Sequence, residues 1–500
     1  MGQIPIEISS LTRLENLSII RLDENNLSSP VSETFANFPN LTTLHLSSCR
    51  LTGKFPKKIL QLATLSDIDL SFNYDLYGSL PEFPPNGPFQ TLIVSHTRFS
   101  GVLPASINNL GQLSTLDLSN SHFNGTLPSS MSRLGELTYL LLSFNNFTGP
   151  IPSLNMSRNL IHLDLSHNDF TGSITSVHLE GLRELVLVDL QDNLLNGSLP
   201  SSLFSLPLLR SIQLSNNSLS GSIPQFLCNH SSLLVLDVSY NLFNGTIPEC
   251  LTQSETLVVL NLQHNKFHGS IPDKFPVSCA LKTLDFNNNL LKGLQLEFVK
   301  VLSLITSVDF SSNNFHGTIP EELMNFKRII FLNLSHNALE GQIPSSIGNL
   351  KQIESLDLSS NNLDGEIPTQ LENLNFLSYL NLSFNHLEGK IPVGTQLQSF
   401  DASSFAGNVE LCGPPLIKNC SGEIHGLPMS PHGIGWNILR AELGFVLGLG
   451  LVIGPLLFWK QWRQHYWQRV DFILCCIFPQ LSLEYETRGG HGYQVLRWRY

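Results

Sequence analysis

Apolar positions in this chain follow two nested rhythms. Over short stretches they fall at positions 1, 4 and 6 of a small motif, as at Leu113, Leu116 and Leu118. Over long stretches the whole motif, L-x-x-L-x-L-x-x-N, returns every 24 residues, sixteen times. Units begin at Leu17, Leu41, Leu65, Phe89, Leu113, Leu137, Leu160, Leu185, Leu209, Leu233, Leu257, Leu281, Ile305, Ile329, Ile353 and Leu377. One 23-residue step and one 25-residue step cancel, so the frame is kept to the end. Such self-similarity predicts a solenoid in which every unit buries its leucines against its neighbours. A stack of this length offers a long surface rather than a catalytic pocket, which directs attention to binding.

Each unit is physically legible. Apolar positions 4 and 6 predict a short strand with alternate side chains inward. Position 9 is Asn in thirteen units and Cys49, Thr97 and Ser121 in the others. There the chain leaves the strand, and a buried amide is expected to satisfy backbone groups stranded by the turn, forming a ladder. G-x-[ILF]-P follows, as in Gly101-Val102-Leu103-Pro104 and Gly365-Glu366-Ile367-Pro368. The glycine predicts a tight turn, and the proline denies the next segment a sheet hydrogen bond, favouring an irregular or short helical return.

Composition adds constraints. Hydrophobic residues make up 42% of the chain and charged residues only 14%, with a net charge of −12. Residues 460–500 hold six basic and three acidic residues, so −15 falls on residues 1–459. An acidic repeat region excludes nucleic acid, which rewards clustered Lys and Arg. Residues 443–459, LGFVLGLGLVIGPLLFW, carry no charge and predict one transmembrane helix. Lys460, Arg463 and Arg469 follow at once, setting the C-terminus in the cytoplasm and the repeats outside. Thirteen N-x-[ST] sequons precede the span: Asn16, Asn26, Asn40, Asn124, Asn146, Asn155, Asn196, Asn216, Asn229, Asn244, Asn333, Asn381 and Asn419. Cysteine usage fits the same oxidising exterior. Cys412 and Cys420 read as a capping disulfide, and Cys228 and Cys250 fall close enough on adjacent units to bond. Cys475 and Cys476 lie beyond the span and are expected to be reduced or palmitoylated.

Taken together, the unit L-x-x-L-x-x-L-x-L-S-x-N-x-L-x-G-x-I-P resembles the plant extracellular leucine-rich repeat. Residues 381–416 resemble the closing repeat and C-terminal cap of plant receptor-like proteins, and the tail from Val470 is similar to that of members linked to Verticillium wilt resistance and the Cf-like class. The resemblance implies a leucine-rich-repeat solenoid, a right-handed superhelix with a parallel β-sheet on its concave face, plus one transmembrane helix. It also implies an apoplastic ligand and signalling through a partner receptor kinase, since the tail is too short for a kinase domain. Relatives begin with a signal peptide and a cysteine-bearing cap, which are not seen before Met1, so an N-terminal truncation is expected. The unit from Leu281 reads KGLQLEFVKVL in place of G-x-I-P, consistent with a missing island segment. The expected organisation is a partial repeat at 1–16, sixteen repeats at 17–400, a cap at 401–421, a juxtamembrane stretch at 422–442, the span at 443–459 and a cytoplasmic tail at 460–500.

Strand positions 2, 3, 5, 7 and 8 are expected on the concave face, across sixteen strands at about 4.8 Å each. Position 5 is Asp in eight units: Asp69, Asp117, Asp164, Asp189, Asp237, Asp285, Asp309 and Asp357. That stripe favours a basic peptide partner, although Asp there is also repeat consensus. Tyr139, Phe144, His162, His167, Tyr240 and His264, at positions 3 and 8, are the less generic ligand-surface candidates, together with Asp164, Asp189 and Asp237. Gly444 with Gly448, and Gly450 with Gly454, put paired glycines on one helical face for packing against a partner helix. No catalytic set, metal site or cofactor motif stands out, so a non-enzymatic protein is expected. The function indicated is a plasma-membrane receptor-like protein in plant defence. Its alternatives are a developmental receptor, an inhibitor of secreted microbial enzymes, or a non-functional truncated copy.

Overall fold

A computed structural model of the chain describes residues 17–225, 227, 232–272, 274–275, 279–294, 297–298, 304–393, 397–420, 481–488 and 491–498. Contacts divide the chain into two units, 1–423 and 424–500. In the first, the motif L-x-x-L-x-L builds a sixteen-stranded parallel sheet that runs in chain order from Ile19–Arg21 to Tyr379–Asn381. Each strand is only three residues, positions 3 to 5 of a unit. Register never slips between neighbours: Leu116 faces Leu140, and Leu140 faces Leu163. Position 4 points inward while 3 and 5 stay partly open, as in Thr115–Asp117 and His162–Asp164. Leucines at 1, 4 and 6, such as Leu113, Leu116 and Leu118, are fully buried.

The asparagine ladder lies directly after this sheet. Asn145 shows the pattern: its Oδ1 accepts from Phe123 N at 2.9 Å, and its Nδ2 donates to the carbonyls of Leu118, Leu142 and Ser143. One amide thus serves two units, which explains why Asn recurs: no smaller side chain both accepts and donates over that span. The three exceptions retain part of the work. Thr97 Oγ1 donates to Val94 O and accepts from Phe99 N, Ser121 Oγ donates to Val94 O, and Cys49 Sγ donates to Leu22 O.

The glycine of G-x-[ILF]-P does not make the expected turn. It lies inside a second set of parallel strands, such as His122–Thr126 and Asn146–Pro150. Gly125 adopts φ +75°, and a Cβ there would meet Val102 Cγ1 at 2.9 Å. A left-handed, side-chain-free residue lets the second strands close against the preceding unit. Position 11 anchors this layer with buried rings; Phe123, Phe147 and Phe170 stack at 6.1 Å intervals. Proline then begins the short helical return, as Pro104 precedes the 3-10 helix Ala105–Asn109. This second sheet is split into eleven strands ending at Leu290–Leu291 and five beginning at His316–Gly317. Among the described residues a single Lys292–Asn314 bridge joins them, where KGLQLEFVKVL replaces the consensus.

At the C-terminal end, the 3-10 helix Ala402–Phe405 takes the place of a seventeenth strand, with Leu382 N donating to Ser404 O. Asn408 supplies a last rung to the ladder, accepting from Leu387 N at 3.0 Å. Cys412 and Cys420 are joined in a disulfide. Cys250 is also disulfide-bonded; Cys228 lies outside the described residues, as do Asn16, Asn229, Cys475, Cys476, Gly444, Gly448, Gly450, Gly454 and the whole of 443–459. Among the described residues no helix is long and apolar enough to cross a membrane. In the second unit Leu481–Arg488 pairs antiparallel with His491–Trp498.

Candidate functional site

Position 8 is where the first sheet ends, and in all sixteen units its backbone is left-handed, as at Phe144 (φ 54°), His167 (φ 52°) and Tyr240 (φ 50°). That conformation turns each side chain away from the core, so successive units line up one ring above another. Phe144 stacks on His167 at 3.9 Å, and Tyr240 on His264 at 4.1 Å. Each imidazole then reaches the following unit. His167 Nδ1 lies 3.0 Å from Asp192 Oδ2, and His264 Nδ1 accepts from Asn288 Nδ2 at 2.7 Å. Phe72, His96 and Asn120 repeat the arrangement nearer the N-terminus, with a 4.3 Å stack and a 2.8 Å hydrogen bond. Phe144 and Tyr240 remain 54% and 48% exposed, so the row presents ring edges to solvent. One column inward, at position 3, Tyr139 meets His162 edge-to-face at 5.2 Å. Burial lowers the pKa of His96 and of His162, keeping those rings neutral.

Position 7, expected on the open face, is covered in nine units, as at Ser166 and Ser239 (both 2% exposed), and partly open in the other seven. The cause lies at position 5. Asp164 Oδ1 accepts from both the amide and the hydroxyl of Ser166, and Asp237 does the same for Ser239. These carboxylates hold the strand end, which is a structural use of the stripe. Elsewhere a neutral residue separates the charges (Ile93, Leu141, Gln213, Asn261 or Asn333), and Asn261 donates to Asp237 Oδ2 at 3.1 Å. Two adjacent pairs have no such spacer, Asp164 beside Asp189 and Asp285 beside Asp309. Burial, reinforced by Asp164, raises the Asp189 pKa from 3.8 to about 7. Burial likewise raises Asp285 to about 7, with Asp309 adding to it. The stripe is therefore less negative near neutrality than its residue count.

The Leucine Rich Repeat family profile matches residues 40–62, 112–134, 136–156, 159–179, 208–230, 232–254, 256–277, 304–326, 328–350, 352–374 and 376–397. Receptor-like protein 6 of Arabidopsis thaliana is 36% identical over 99 residues, 20% of this chain and 10% of that protein. The chain belongs to the plant leucine-rich-repeat receptor-like proteins. The matched stretch is only about a tenth of the length of that curated relative. Two solved structures share the fold of this receptor-like protein. The plant peptide hormone receptor RGFR1, in complex with RGF2, superposes with a TM-score of 0.67 at 30% identity, covering 78% of this chain and 70% of that one. The Arabidopsis receptor kinase HAESA, in complex with the peptide hormone IDA and the co-receptor SERK1, gives 0.52 at 26% identity, covering 85% and 90%.

In this receptor-like protein the six aromatic and His candidates fall into two columns, position 3 (Tyr139, His162) and position 8 (Phe144, His167, Tyr240, His264), five residues apart along the unit. Asp164, Asp189 and Asp237 lie between them, on position 5. Sequence reasoning passed over Phe72, His96, Asp192 and Asn288, although all share position 8 with the residues it chose; the period alone would have found them. Among the sequons, Asn124, Asn146, Asn155, Asn196, Asn244, Asn26, Asn40 and Asn419 are exposed. Asn333 and Asn381 are only partly open on the first sheet, where their Nδ2 atoms donate to Asp309 and Asp357, both at 3.2 Å. Asn216 Nδ2 is taken by Asp192.

Proposed function

We propose that the chain is the ligand-binding body of a single-pass plasma-membrane receptor-like protein, which captures an extracellular peptide or protein on its first sheet and signals through a partner receptor kinase. The observation that carries the reading is the ordered row of rings beside a partly neutralised acidic stripe on the open face of a sixteen-stranded sheet. Rigid, edge-on aromatic side chains lose little entropy on contact, and alternating acids orient a basic partner. RGFR1 and HAESA, each solved in complex with a ligand, support a peptide as the ligand, and SERK1 beside HAESA supports a co-receptor as partner. Residues 443–459 form the span in this reading, with Gly444, Gly448, Gly450 and Gly454 against the partner helix. The exposed sequons carry glycans outside the cell, and the signal serves defence. A hormone-sensing role is the second reading, favoured by the hormone receptors among the structural neighbours.

The ligand face is tested with the full chain in lipid nanodiscs and two fluorescein-labelled probes, Arg-Phe-Arg-Phe-Arg and Asp-Phe-Asp-Phe-Asp. The basic peptide is expected to bind more tightly, and Asp164→Lys combined with Asp237→Lys to weaken it at least tenfold. Unchanged affinity in that double variant sinks the first-sheet site. Topology is read separately: a tag after Tyr500 should be protected from external protease in intact cells.

A further inference from the structure

The repeats are acidic overall, yet Arg50, Lys54, Lys57 and Lys58 fall within nine residues that hold no acid. Lys58 is paired with Glu33 at 2.7 Å, and Arg98 nearby with Asp75 at 3.1 Å. Arg50, Lys54 and Lys57 have no ion pair among the described residues. The second sheet brings part of this charge into register with aromatic surface: Lys54 pairs with Tyr77, and Tyr77 with Arg98, on consecutive strands. All three side chains are exposed.

Two local departures from the repeat occur at the same place. Between ladder residue Asn73 and buried Leu76 stand two residues, Tyr74 and Asp75, where the unit of Leu113 has only His122 between Ser121 and Phe123. Tyr74 is 62% exposed. Arg50, at position 10, takes a φ of 55°, a left-handed conformation that the other units use at position 8 and not at position 10. A branched or long side chain held there is strained, and such strain persists where the side chain itself is needed. Between the two departures opens a cleft of about 520 Å³ lined by Ser28, Ser48, Arg50, Leu51, Thr52, Phe72, Tyr74 and Asp75, the last with its carboxylate ion-paired to Arg98. Its aromatic wall is held in place from behind, since Phe72 stacks on His96 at 4.3 Å and Tyr74 meets the same ring edge-on at 6.3 Å.

We propose that this flank of the second sheet is a docking surface for an acidic protein segment, distinct from the first-sheet ligand face. The segment sets a carboxylate on Arg50, a second on Lys54, and an apolar side chain in the cleft between Phe72 and Tyr74. Charge complementarity selects the sign of the partner: three unpaired cations on an acidic body attract an anion and repel a cation. The cleft selects a protein over a polyanion, because Tyr and Arg are enriched at interface hot spots and Phe at interfaces generally. Of the position-8 row only Ser48 and Phe72 line it, three units or more before Phe144, and no residue of the aspartate stripe does.

The full chain carrying Asn26→Gln, which removes the neighbouring sequon, is titrated in nanodiscs with labelled Asp-Phe-Asp-Phe-Asp and Asp-Gly-Asp-Gly-Asp. The first is expected to bind at least tenfold more tightly than the glycine control. Arg50→Glu and Tyr74→Ala should each remove that preference, while Asp164→Lys leaves it intact, so failure here is separable from failure of the first-sheet site. Arg50→Gly supplies the readout a structural role would not give. It relieves the left-handed backbone and should raise the melting temperature while weakening the peptide tenfold. Undiminished binding in Arg50→Glu, equal binding of the glycine control, or displacement by polygalacturonate that is insensitive to Tyr74→Ala would each overturn the proposal.

Discussion

At the scale of single residues, the chemistry of this protein is set by side chains that face two units at once. Asn241 is typical: its Oδ1 accepts from Leu219 N at 2.9 Å while Nδ2 donates to three carbonyls, those of Leu214, Val238 and Ser239. Asn241→Ala leaves a buried amide and several carbonyls unmatched, and should cost roughly 2–4 kcal/mol in urea denaturation. A loss under half a kcal/mol would show that water replaces the rung. Asp189 works in the opposite direction. Its folded pKa of about 7 stands above the ordinary 3.8, so the folded chain holds a proton that the unfolded chain releases. Stability from this group is full at low pH and is lost as pH climbs through about 7. Asp189→Asn can donate to Asp164 as Asn261 does to Asp237. It should stabilise the protein at pH 7.5 by roughly 1–3 kcal/mol and flatten the decline that runs from the ordinary 3.8 up to about 7. A melting curve as pH-sensitive as that of the parent would contradict this.

Elements of secondary structure are short, and their neighbours decide what they can carry. Asn333 and Asn381 satisfy the sequon rule as well as Asn124 and Asn244, but their amides are committed to Asp309 and Asp357 across the first sheet. Glycopeptide mass spectrometry should find Asn124, Asn196 and Asn244 occupied and Asn333 and Asn381 bare. Full occupancy at Asn381 would mean that the sheet tolerates loss of that bond. The cap is likewise an element matter. Asn408 lies outside any L-x-x-L-x-L motif, and only the fold shows it completing the ladder against Leu387. Asn408→Ala should open the last unit selectively, seen as faster hydrogen exchange at Leu387 with little change at Leu219.

For the molecule as a whole, stability is a sum of unit and interface contributions, because each unit touches its neighbours and little else. The first sheet runs unbroken through sixteen strands, while the second is interrupted between Leu291 and His316. Second-sheet amides flanking that seam should exchange faster than those of Asn146–Pro150, where register is continuous on both sides. Equal protection would show that the first sheet alone sets local stability there.

The 24-residue period by itself determined a parallel solenoid, the buried positions 1, 4 and 6 and the ladder at position 9, because those follow from stacking identical units with any acceptable geometry. Composition and sequons could indicate an extracellular binding protein in the same way. What the period could not contain is the consequence of one unit lying against the next. The second sheet around Gly125, the covered serine of position 7, the proton on Asp189 and the imidazole stacks at His167 and His264 all depend on side chains 24 residues apart meeting at contact distance. A single unit carries none of those contacts, so only the assembled structure decides them.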